Sequence, residues 1–291
     1  MDTAEILKKV RKIGIRSRGL SDQIFTGHYQ SAFKGRGMAF NEVREYQYGD
    51  AIRDIDWNVT ARFNHPYVKV YNEERELLVM LLIDVSASNL AGSGNRIKQD
   101  RITEIAALLS YSALKNNDKV GVIFFSDRIE KFIPPGKGVQ HVLFIIRQLV
   151  DFTPEKKHTN ISEALRYLSN IIRKRCIAFI ISDFLDESYE DALRITSRKH
   201  DMVGLRIFDP IESEIPVRSL LRVTDPETGR PSWVDGRSAR ERQEYARRFE
   251  DRSARLRNVF IRSGVDLEMI STREDFVKPL IRLFKRREMR K

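Results

Sequence analysis

Five residues carry the most chemistry this sequence offers. Asp84, Ser86 and Ser88 lie in one short stretch, Thr159 in a second and Asp183 in a third. A carboxylate and two hydroxyls spaced i, i+2, i+4 on a turn form a cluster of hard oxygens. Such donors suit Mg²⁺ or Mn²⁺ far better than zinc. Taken singly, each has a plainer reading. Asp-x-Ser-x-Ser often makes a helix-capping turn, Thr159 or Asn160 is a natural N-cap, and Asp183 can cap a helix too. Their joint placement at the ends of separate strands favours an ion site.

The strands that must position them are visible as apolar runs. Leu77 to Ile83 is short and apolar throughout, as in a central parallel strand buried on both faces, and Asp84 follows it directly. Ile177 to Ser182 is another such run and ends at Asp183. Open α/β sheets bind ligands at the carboxyl ends of their strands, which is where both aspartates fall. Lys119 to Ser126 reads as a further buried strand, and Arg128 to Ile133 as a short edge strand ended by Pro134-Pro135-Gly136. Met202 to Phe208 and Val265 to Ile270 supply two more. Between them, Ile102, Ile105, Ala106 and Leu109 keep helical spacing. So do Val142, Ile145, Ile146 and Leu149, and then Ile161, Ala164, Leu165, Leu168 and Ile172. Strands alternating with helices predict an α/β fold, a mostly parallel, doubly wound sheet covered on both faces. Leu220 to Val234 breaks the rhythm and predicts an inserted β-hairpin. A long helix should follow from about Ser238 to Arg262, with Tyr245, Phe249, Leu256 and Phe260 as its stripe.

Before residue 77 the pattern differs. Thr3 to Ile15 reads as a basic amphipathic helix, and Gly27 to Asp50 is Gly-rich and irregular. Phe25, Tyr29, Phe33, Phe40, Tyr46, Tyr48 and Trp57 run through this region, so it should pack its aromatics on the main domain. The expected division is an N-terminal extension over 1–76 and an α/β domain over 77–291. Arg44 with Glu45, Arg53 with Asp54 and Asp56, and Arg75 with Glu73 and Glu74 are expected to pair there.

Bulk properties narrow the classes. The 291 residues are 41% hydrophobic and 32% charged, with formal net charge +11. That balance favours an anionic partner, whether nucleic acid, acidic lipid or an acidic protein surface. The single Cys176 cannot form an internal disulfide and fits a reducing compartment. No apolar stretch approaches the roughly 20 residues of a bilayer span, and Met1 to Val10 lacks the apolar core of a secretory signal. A cytoplasmic protein is the expectation. The five histidines are scattered without zinc-ligand spacing. Neither a P-loop nor a dinucleotide fingerprint occurs, and Cys176 reads as core.

Asp84-x-Ser86-x-Ser88, Thr159 and Asp183 resemble, position by position, the metal-ion-dependent adhesion site of von Willebrand factor A domains. The resemblance implies that the serines and the threonine coordinate Mg²⁺ while the aspartates bind directly or through water. It also implies an open coordination position for an acidic residue of a partner, in a site that binds and does not catalyse. The N-terminal half adds a second likeness. The stretch from Gly35 through Arg44-Glu45-Tyr46-Gln47-Tyr48-Gly49-Asp50, followed by Arg53-Asp54-Ile55-Asp56-Trp57-Asn58, resembles the signature of the bacterial family called domain of unknown function 58. Ala39 before Phe40 and Asn89 after Ser88 depart from that pattern, but neither is a ligand position. This resemblance implies a MoxR-type AAA+ ATPase as partner, hence an adaptor or substrate-presenting role and not an enzyme. Two rivals come from the charge and the carboxylates: a metal-dependent hydrolase or nuclease using Asp84 and Asp183, and a nucleic-acid-binding protein.

Overall fold

A computed structural model describes residues 13–14, 16–17, 19–20, 39–72, 76–86, 97–152, 158–215, 220–224 and 231–290. The chain divides into two compact units. One is Phe33–Glu76, and the other holds Leu77–Lys291 together with the residues before 33. The expected helix over Thr3 to Ile15 falls almost wholly outside the described residues, as does Arg75 with Glu73 and Glu74.

The smaller unit pairs β1 (Ala39–Glu45) with β2 (Tyr67–Asn72) in an antiparallel ladder, with a bulge between Phe40 and Glu42. Helix α1 (Trp57–Phe63) lies between them. Asp56 caps it by accepting from the Asn58 and Val59 N–H groups, and Asn64 ends it in the left-handed region at φ 59°. The expected charge pairs are rearranged. Arg44 forms a two-pronged pair with Asp50, both bonds at 2.8 Å, and reaches Glu45 only at its carbonyl oxygen. That guanidinium and the Gln47 N–H hold the Asp50 carboxyl below its ordinary range. Asp56 pairs with Lys69 at 3.5 Å, and Arg53 meets Asp54 only at 3.9 Å. Val68 is buried, but Tyr48 and Trp57 of the expected aromatic series are exposed, while Phe25, Tyr29 and Phe33 lie outside the described residues. A unit of two strands and a two-turn helix has too little interior to enclose rings of that size.

In the larger unit β3 (Leu78–Asp84) is followed by α2 (Ile97–Lys115), β4 (Lys119–Phe125), β5 (Ile129–Gly136) and α3 (Val139–Asp151). Next come α4 (Ile161–Ile171), β6 (Ile177–Ser182), α5 (Glu190–Lys199) and β7 (Asp201–Phe208). The hairpin β8 (Leu220–Thr224) and β9 (Pro231–Asp235) precedes α6 (Ala239–Arg262), β10 (Asp266–Ser271) and α7 (Val277–Met289). The six-stranded sheet has the order β10-β7-β6-β3-β4-β5. All its neighbours are parallel except β4 and β5. This is the mostly parallel α/β sheet that the strand–helix alternation predicts. The edge strand continues through Pro134 and Pro135 instead of stopping before them. Its one neighbour in the sheet is β4, so a proline there removes no second ladder bond.

The helices cover both faces because their apolar stripes match the helical period. Val142, Ile145, Ile146 and Leu149 of α3 are buried, as are Ile161, Ala164, Leu165 and Leu168 of α4. Phe260 of α6 lies against the backbone of β7. A Cβ added at Gly204 would come within 2.3 Å of its ring, so glycine is what lets the helix approach so closely. Strand β3 has β4, the next strand in the chain, on one side and β6 on the other. Chain direction through the sheet therefore reverses at β3 and β6, and a crevice is expected beyond their carboxyl ends. Among the described residues no helix is long and apolar enough to cross a membrane.

Candidate functional site

Both aspartates stand at that reversal. Ile83 is paired with Ile181 across the sheet, and the next residue of each strand points a polar group at the other. Ser182 Oγ donates to Asp84 Oδ2 at 2.5 Å, a short charge-assisted bond. Asp84 Oδ1 accepts the Ser86 N–H at 2.9 Å. Asp84, Ser86, Ser182 and Asp183 are all at most 1% exposed. Burial, followed by the charge of Asp183, pushes the Asp84 carboxyl up to about 7, against the bonds from Ser182 and Ser86. A neighbouring negative charge raises the cost of ionising a buried carboxyl such as that of Asp84 unless a cation joins the two.

One cation is already present in the chain. Lys98, near the start of α2, reaches Asp183 Oδ2 at 3.3 Å and Glu212 Oε1 at 2.6 Å, with its side chain 5% exposed. Burial alone would lower its pKa, but Asp183 and Glu212 outweigh that and raise it. The ammonium is therefore held charged and is shared between two acids. Asp84 keeps its bonds from Ser182 and the Ser86 N–H.

The turn after Asp183 is fixed by local strain. Phe184 sits in the left-handed region at φ 56°, which costs a non-glycine residue about 1–2 kcal/mol. Its N–H donates to Ser182 Oγ at 3.0 Å, and its ring meets Phe260 edge-on at 5.3 Å. The same turn then carries Asp186, whose Oδ2 accepts the Ile161 N–H at the start of α4. The Thr159 stretch is thus tied from one side by the Asp183 loop. From the other side, the Asn160 N–H donates to the Ser126 carbonyl at 2.8 Å. The preceding carbonyl, that of Phe125, accepts the Val85 N–H at 2.9 Å. These bonds draw the three sequence-predicted loops to one edge of the sheet.

Asn160, not Thr159, caps α4, through its side chain and the Glu163 N–H. Thr159 is left with another task. Its Oγ1 is buried and has no hydrogen-bond partner among the described residues. A buried hydroxyl without a partner is costly, and it is what a ligand-binding hydroxyl looks like without its ligand. Ser88 lies outside the described residues. Among those described, no three carboxylate, imidazole or thiol groups gather into a metal cluster. The site pairs two acids with hydroxyls. That donor set fits a hard divalent cation held partly by neutral oxygens.

Sequence reasoning missed Lys98, Glu212 and the role of Ser182. Cys176 is core, as expected. Burial, followed by the charge of Asp201, pushes its thiol up to about 12, and its Sγ lies 3.2 Å from His200 Nδ1.

A family model described as "Protein of unknown function DUF58" matches residues 42–255. The chain is 26% identical over 287 residues to an uncharacterized protein of Mycobacterium bovis, covering 97% of this chain and 90% of that one. An uncharacterized protein of Mycobacterium tuberculosis matches equally well, at 26% over 287 residues and with the same coverage of 97% and 90%. Among solved structures, BatB from Bacteroides thetaiotaomicron is similar at 16% identity and TM-score 0.45, covering 73% of this chain and 99% of that one. An aerotolerance-related membrane protein from Bacteroides fragilis gives 17% and 0.46, with 74% and 100% covered. The SpRpn10 VWA domain gives 12% and 0.37, with 71% and 94% covered.

Proposed function

The chain belongs to the family described as protein of unknown function DUF58, and from that premise we propose that it is a metal-ion-dependent protein-interaction module. We assign it the role of an adaptor or substrate-presenting partner of a MoxR-type AAA+ ATPase. The observation that carries this reading is the buried Thr159 hydroxyl, without a hydrogen-bond partner among the described residues, beside the loops of the buried Asp84 and Asp183. Asp84, Ser86, Ser88, Thr159 and Asp183 are the residues that would hold the ion. A bound Mg²⁺ or Mn²⁺ would supply an electrophile able to accept one more oxygen, from an acid of the partner. The chain's own part is orientation. Ser182 fixes the Asp84 carboxylate, the Phe184 turn fixes Ser182, and Lys98 holds Asp183 in place.

The rivals have less support. Two-metal hydrolysis wants several bridging carboxylates, whereas hydroxyls accompany these two. At the carboxyl-terminal helix, four of the arginines that would invite nucleic acid are held in ion pairs. Arg287 pairs with Asp201 and Asp266, Arg290 with Asp266, and Arg282 and Arg286 with Glu268. A co-expressed MoxR-type ATPase should be retained by the chain in Mg²⁺, and lost in EDTA or with Thr159→Ala. Retention indifferent to all three conditions would refute the metal-bridged reading.

A further inference from the structure

Beside the turn that follows Asp183 lies a cleft of about 650 Å³. One wall is Phe184, Leu185 and Tyr189 from the segment between β6 and α5, and the other is Leu256 and Val259 of α6. Four guanidiniums line it, those of Arg206, Arg252, Arg255 and Arg262, against three carboxylates, Asp186, Glu187 and Glu190. Asp186 is already committed to the Ile161 N–H and to Ser188. The ion pairs across the rim are loose. Arg255 to Glu187 spans 4.0 Å and Arg262 to Glu190 spans 3.9 Å, both between exposed side chains. Pairs of that kind exchange readily with a ligand.

Arg206 differs from the other three. It is 2% exposed and rises from β7, paired in register with Ser182 and Met269. Its Nη1 donates to Ser253 Oγ at 2.8 Å, and its guanidinium lies 4.8 Å from the centre of the Phe249 ring. Its Nε has no hydrogen-bond partner, and no carboxylate lies within ion-pair distance, among the described residues. Burial works against its charge and outweighs the support of Glu212 and Asp183, which lie near it without closing an ion pair on the guanidinium. The guanidinium opens on a cleft with an excess of positive charge.

We propose that this cleft receives a peptide segment of the partner protein carrying an apolar side chain next to a single carboxylate, and that the carboxylate pairs with Arg206. The apolar walls take the side chain, and the one-charge excess matches one acid. Polyphosphate and nucleic acid fit poorly, because Glu187 and Glu190 stand at the rim. The inference deepens the partner-binding reading and rests on it for the class of ligand. It places a second anchor next to the ion site without needing the ion.

Arginine side-chain Nε–H signals of the isotope-labelled full chain, recorded in EDTA, provide the test. The probes are the blocked tripeptide leucine–glutamate–leucine, its glutamine counterpart and inorganic phosphate. The Arg206 signal should move saturably with the glutamate peptide. Binding should be about tenfold weaker, or more, with the glutamine peptide, and similarly weakened for the glutamate peptide by Arg206→Met. Arg252→Gln, a change on the helix surface, should weaken it as well, which keeps the test valid if Arg206→Met fails to fold. No saturable shift, or equal response to the glutamine peptide, would overturn the proposal. So would equal response to phosphate, which would mark a general small-anion site. Because EDTA is present throughout, failure here with Mg²⁺-dependent capture of the ATPase intact removes the cleft alone. The converse result removes the ion site alone.

Discussion

Replacing Ser182 with alanine removes one oxygen that does two jobs. Ser182 Oγ donates to Asp84 Oδ2 at 2.5 Å and accepts the Phe184 N–H at 3.0 Å, with the residue fully buried. Loss of a hydrogen bond to a charged group costs about 1.5–3 kcal/mol, and the orphaned N–H adds about 1 kcal/mol or more. The N–H matters because Phe184 is already held in a left-handed conformation at φ 56°. The sum is about 2.5–4 kcal/mol. With a slope of about 3 kcal/mol per M, the urea midpoint should fall by roughly 1 M. A double-mutant cycle with Asp84→Ala, followed by tryptophan fluorescence and circular dichroism, isolates the pair. A coupling energy of about 1.5 kcal/mol or more is expected. Coupling under about 0.5 kcal/mol, or an unshifted midpoint for Ser182→Ala, would refute the claim that this serine orients Asp84.

Gly204→Ala should be strongly destabilising, by about 1–3 kcal/mol or more, because its Cβ would lie 2.3 Å from the buried Phe260 ring. A midpoint within error of wild type would contradict the close packing of α6 on β7. Burial, followed by the charges of Lys199 and Arg175, pushes His200 down from 6.5 to about 4. The unfolded chain then binds a proton that the native state refuses, so stability is full above pH 6.5 and is lost as pH falls towards 4. His200→Gln should flatten that part of the melting-temperature profile, and an unchanged slope would show that His200 is not responsible.

The fold was legible where burial is two-sided. Val79 to Ile83 and Ile177 to Ile181 are apolar on both faces because helices cover both, and so the runs announce central strands with Asp84 and Asp183 at their ends. Phe249, Leu256 and Phe260 declared the buried stripe of α6 for the same reason. The supporting shell was not legible. Lys98 meets Asp183 across 85 positions of sequence, and no local pattern marks such a pair. Ser182 reads as the last residue of a strand, because the turn that aims its hydroxyl depends on the φ of Phe184. Arg206 did leave a signal, as a lone charge in the apolar run Met202 to Phe208. Trp57 misled in the opposite sense. Aromatic content promises burial only where the unit is large enough to provide it, and this ring is 66% exposed.

The most direct test is a Mn²⁺ titration followed by electron paramagnetic resonance, on wild type, Asp84→Ala and Thr159→Val. Thr159→Val keeps shape and removes only a hydroxyl that has no partner among the described residues, so it should fold at least as well as wild type. The account predicts one weak, exchangeable ion on wild type, displaced by Mg²⁺. It predicts binding about tenfold weaker or more with Thr159→Val and abolished with Asp84→Ala. Equal binding by all three proteins, or none to wild type at millimolar Mn²⁺, would contradict it.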